Sequence, residues 1–66
     1  MMIDRIAIEA ARAYLGENGP EGLEAHLKDI GIDANPTKVK AIVREMLKED
    51  GYKEYQILKA LEAFED

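Results

Sequence analysis

Few side chains in this sequence could carry chemistry. There is one histidine, His26, and one aliphatic hydroxyl, on Thr37; serine, cysteine and tryptophan are absent. Nucleophilic catalysis needs a hydroxyl, thiol or amine activated by a neighbouring base. Thr37 follows Asn35-Pro36, a helix-opening pair in which a hydroxyl has a structural use. His26 adjoins a stripe of Leu23, Leu27 and Ile30, where an amphipathic ring suits the edge of a core. The 14 acidic residues supply lone carboxylates in plenty, but at this density they form a solvated surface before they form a site. No catalytic residue is assigned, and the chain reads as non-enzymatic.

Metal and cofactor chemistry fare no better. One histidine and no cysteine exclude the common zinc patterns. Asp29-Ile30-Gly31-Ile32-Asp33 superficially resembles the start of a calcium loop. Counted from Asp29, however, the ligand positions fall on Gly31 and Lys40, and the required glycine falls on Ala34. Neither glycine-rich phosphate-binding pattern occurs, and no strand is predicted to support one. The expectation is no metal, no cofactor and no small-molecule substrate.

Charge is the more informative property. The net charge is −5, from nine basic and 14 acidic residues. It is unevenly spread. Residues 36–50 carry four basic and three acidic side chains, a net of +1, which leaves five and 11 elsewhere, a net of −6. Thr37, Lys40, Arg44 and Lys48 are three and four apart, so on a helix they form one stripe opposite the apolar face. Tyr55 is the second candidate contact, because helical spacing puts it on the polar side of the last helix. Exposed tyrosine beside charge is a common element of protein interfaces.

These residues need helices to position them, and the punctuation supplies four. The spacing predicts helices over about 3–15, 20–30, 36–50 and 52–64, with no alternating strand pattern anywhere. Asp4 can cap the first, which Gly16 is expected to end. Pro20 suits the first position of the second, which Gly31 closes and onto which Ile32 folds back. Asn35-Pro36 opens the third and Gly51 ends it; the fourth puts Ile57, Leu58, Ala60, Leu61 and Phe64 on one apolar face. The first helix is apolar on most sides, with Arg5, Glu9 and Arg12 in one narrow arc, so it is expected at the centre. Such agreement among local signals is also the pattern of a designed helical scaffold, which would have no natural function.

Short connections between short helices imply an all-α fold, a single domain over 1–66 built as a compact four-helix orthogonal or irregular bundle. A chain of 66 residues buries only about 60% of its unfolded surface. Association with a second copy or a protein partner is therefore the expected source of further stability. A strip of the first helix including Met1, Met2 and Ile3 is one surface for it. No apolar run exceeds three residues, as in Ile6-Ala7-Ile8, too short for a membrane span or a secretory signal, so no membrane partner and a cytoplasmic location are expected.

Residues 23–52 resemble a helix-turn-helix DNA-binding unit. Leu23, Leu27 and Ile30-Gly31-Ile32 look like its first helix and turn. Val39, Ile42, Leu47 and Gly51-Tyr52 look like the recognition helix and its exit. The resemblance implies that Thr37, Lys38, Lys40 and Arg44 reach base edges in the major groove. Two expectations follow: a module for protein association, or duplex-DNA binding through the third helix.

Overall fold

A computed structural model describes residues 4–64, so the expected part of Met1, Met2 and Ile3 in an association surface lies outside the described residues. Among the described residues four helices follow one another: α1 (Arg5–Asn18), α2 (Leu23–Asp29), α3 (Pro36–Glu49) and α4 (Glu54–Leu61). The last continues into a 3₁₀ turn at Glu62–Phe64. No strand occurs among the described residues. The fold is the small all-α bundle that the punctuation implies.

The helix ends show why. Asp4 Oδ1 accepts a hydrogen bond from the Ile6 amide at 3.2 Å. Asn35 Oδ1 accepts one from the Lys38 amide at 2.8 Å, and Pro36 fills the first position of α3. Gly31 and Gly51, at φ 90° and 91°, take the left-handed conformation after α2 and α3. Each lets the next amide turn back, from Ile32 to the Leu27 carbonyl at 2.9 Å and from Tyr52 to Leu47 at 3.1 Å. Ile32 accordingly packs against the core.

Two helix ends differ from expectation. α1 runs through Gly16 and ends at Gly19, whose amide donates to the Leu15 carbonyl at 3.1 Å. A single interior glycine costs only about 1 kcal/mol against alanine, too little to end a helix that has a positive-φ glycine cap three residues on. α2 opens at Leu23 and not at Pro20. Gly22 is left-handed at φ 85°, and the Tyr14 hydroxyl donates to the Glu21 carbonyl at 2.7 Å. These hold Pro20–Gly22 as a turn.

The centre is also different. α3, not α1, is the helix around which the bundle is built. It buries Val39, Ile42, Val43 and Met46 and touches α1, α2, α4 and the 3₁₀ turn. α1 buries Ala7, Ile8 and Ala11 and packs on α2 and α3, with no close approach to α4 among the described residues. Its alanines bring α3 near, but they are too short to reach a third neighbour. Ile6, on the uncovered side, is 68% exposed. α4 is fastened through buried Ile57, with Leu61 and Phe64 half-buried beside the core.

Candidate functional site

The polar arc of α1 is used for cohesion. Arg5 donates to Glu9 Oε2 at 3.2 Å and to Glu49 Oε1, at the end of α3, at 2.5 Å. Arg12 donates to Glu9 at 2.7 Å and to Asp50 at 2.8 Å. The network thus ties the exposed face of α1 to the C-terminal end of α3, where cations also suit the helix dipole. The hydrogen bond from Arg12, with the charges of Arg12 and Arg5, holds the Glu9 carboxyl below its ordinary value of 4.5. A lowered folded value means that this contribution is fully present above pH 4.5 and is lost as pH falls through the folded value. Tm is therefore expected to fall on acidification from about pH 7 to about pH 3. The Glu9→Gln variant is expected to lose less over the same interval, as followed by circular dichroism.

The basic stripe of α3 is only partly open. Thr37 and Lys48 are exposed, whereas Lys38, Lys40 and Arg44 are half-buried. Arg44 donates to Glu54 in the first turn of α4. Its charge is thereby matched within the molecule. The same pair brings two candidate regions together, because it sets the Thr37–Lys48 side of α3 beside the helix that carries Tyr55.

That helix has two faces. Ile57 and Leu61 turn inward, while Tyr55 and Leu58, three apart, share an outer side on which they are 69% and 54% exposed. Tyr52, in the turn before α4, is 50% exposed. The turn is held where the Tyr52 amide meets Leu47, and α4 is opened by the Lys53 amide donating to Gln56 Oε1 at 2.9 Å. Lys53, at the N-cap of α4, and Lys59, one turn after Tyr55, are exposed, as is Lys48 at the end of α3. The sequence reading counts Leu58 with the inner apolar residues. Its spacing from Tyr55 is the signal for the outer face.

Other features lead less far. His26 is half-buried and stacks on Tyr14, with ring centroids 4.7 Å apart. A groove of about 670 Å³ opens between the Pro20–Leu23 turn, the start of α3 and Phe64. Its charged lining includes Lys28 and Glu24, which pair with each other at 3.0 Å. Among the described residues no polar or charged side chain is buried, and no three His, Asp or Glu side chains converge as metal ligands. Among them, too, no helix is long and apolar enough to cross a membrane. Comparison of the chain with protein families, curated proteins and solved structures returns no match.

Proposed function

We propose that the chain is a non-enzymatic protein-interaction module whose contact surface is the outer face of α4. The observation that carries this reading is that Tyr52, Tyr55 and Leu58, on α4 and the turn before it, are each at least half exposed; the other large apolar side chains exposed among the described residues, Ile6 and Ile30, lie on α1 and just after α2. Tyrosine offers large contact area at low conformational cost and is enriched at interfaces. The same surface serves self-association if its occupant is another copy.

Duplex-DNA binding by α3 is the second reading, supported by the exposure of Thr37 and Lys48. The Arg44–Glu54 pair weighs against it, since phosphate contacts supply much of the affinity of a DNA binder. The connection from Asp29 to Pro36 is also longer than a tight helix-turn-helix turn of about 3–4 residues.

Amide shifts of labelled protein separate the two. They are recorded over a concentration series, with acidic, basic and uncharged amphipathic peptides, and with duplex DNA at low salt. Shifts centred on residues 52–59, on self-association or with a peptide, are expected. Shifts confined to residues 37–48 with DNA, lost in Lys40→Glu/Arg44→Glu/Lys48→Glu, would replace the module by the nucleic-acid binder.

A further inference from the structure

We infer that the outer face of α4 takes an acidic amphipathic protein segment, one whose apolar side chains lie on Tyr52, Tyr55 and Leu58 and whose carboxylates meet Lys48, Lys53 and Lys59. The inference rests on the interaction-module reading and adds the chemistry of the partner.

The charge sign is the key. With a net charge of −5, the chain as a whole repels acidic partners. Residues 48–59 contain three lysines and three carboxylates, an even balance on paper. All three carboxylates are engaged elsewhere. Glu49 and Asp50 pair with Arg5 and Arg12 of α1, and Glu54 pairs with Arg44. Among the described residues no ion pair involves Lys48, Lys53 or Lys59, and all three are exposed. The paired acids are neutralised by arginines outside the segment, so its three exposed lysines are the charges left to meet a partner of Tyr52, Tyr55 and Leu58. Glu62, one turn beyond Leu58, is an exposed carboxylate on the same side.

Helical spacing gives the surface its form. Tyr55, Leu58 and Lys59 share one side of α4 at three- and four-residue separations. A partner helix presenting apolar residues at the same spacing and glutamates at its margins matches it in shape and charge. A second copy docked through the same face would set lysine against lysine about a two-fold axis. Nucleic acid would gain only three ammonium contacts and would meet Glu62. The exposed apolar centre favours a protein segment.

The test uses an amphipathic helical peptide of Leu, Phe and Glu, a version with Lys for Glu, a version with Ser for Leu and Phe, and a single-stranded oligonucleotide. The acidic peptide is expected to shift the amides of residues 52–59 and to bind more weakly as salt is raised. Lys53→Glu/Lys59→Glu and Tyr55→Ala/Leu58→Ser are each expected to weaken it about tenfold, and the Ser peptide is expected not to bind. Both variants alter exposed side chains only, and an unchanged Tm shows that either effect is local. If the Lys peptide binds this face as tightly as the Glu peptide, the charge assignment fails while the module reading stands. If no peptide binds and the chain does not self-associate, both fail. If the oligonucleotide takes the face in preference to the acidic peptide, the partner is nucleic acid and the proposal is overturned.

Discussion

Replacing Ile42 by alanine is expected to leave most of the chain unfolded at room temperature. Ile42 is fully buried on α3, the helix that meets every other element. Removing buried methylenes costs the lost transfer free energy and leaves a cavity, together about 2–5 kcal/mol for isoleucine to alanine. A core of this size supplies about 3–5 kcal/mol in all. The loss is therefore comparable with the whole stability. Ile42→Val deletes one methyl group and is expected to cost only about 0.5–1.5 kcal/mol. Leu58→Ala, on the outer face of α4, is expected to stay within about 0.5 kcal/mol of the parent. Urea unfolding followed by circular dichroism ranks the three. A parental midpoint for Ile42→Ala would show that the bundle is not organised around α3. A large loss for Leu58→Ala would show that its face is packed rather than open.

The contrast between Ile42 and Leu58 marks what can be read from sequence here. Local chemistry is legible because each signal is complete within a few residues. Asn35 reaches the Lys38 amide, and Gly31 and Gly51 adopt a conformation that other residues avoid. Helix number and class follow from such signals. What a helix touches does not. α1 is the more apolar helix along its length, yet α3 is central, because centrality depends on which sides have neighbours and not on how many sides are apolar. Leu58 fails for the same reason: a helix packed on one neighbour buries a narrow arc, and Leu58 lies just outside it. The candidate site shows the same division. The α3 stripe and the polar side of Tyr55 are matters of spacing. The pairing of Arg44 with Glu54, and of Glu49 and Asp50 with α1, joins residues 10 to 44 positions apart. Those pairings decide which charges remain available, and they depend on the packing.

Gly22→Ala is expected to lower Tm by more than about 10 °C. Two costs combine at this position. The φ of 85° lies in the left-handed region, which charges an alanine about 1–2 kcal/mol. The added Cβ would stand 2.6 Å from the Tyr14 hydroxyl oxygen, too close for both to stay. If Tyr14 moves, its hydrogen bond to the Glu21 carbonyl is lost, at about 0.5–1.5 kcal/mol, and its stack on His26 is disturbed. At about 4–8 °C per kcal/mol for a domain of this size, the sum exceeds 10 °C over most of its range. Gly16→Ala is the control. Gly16 lies inside α1, and its added Cβ would meet nothing within 4 Å, so alanine is expected to raise stability by about 0.5–1 kcal/mol. Tyr14→Phe separates the two costs at Gly22. It removes both the hydrogen bond and the atom that the new Cβ strikes. In the Tyr14→Phe background, Gly22→Ala is therefore expected to cost only the backbone strain, so that the double variant is more stable than the sum of the single losses predicts. Strict additivity in the thermal melts would mean that the turn before α2 is set by backbone conformation alone. A deficit of about 1 kcal/mol would locate the remainder in the contact between Tyr14 and the turn.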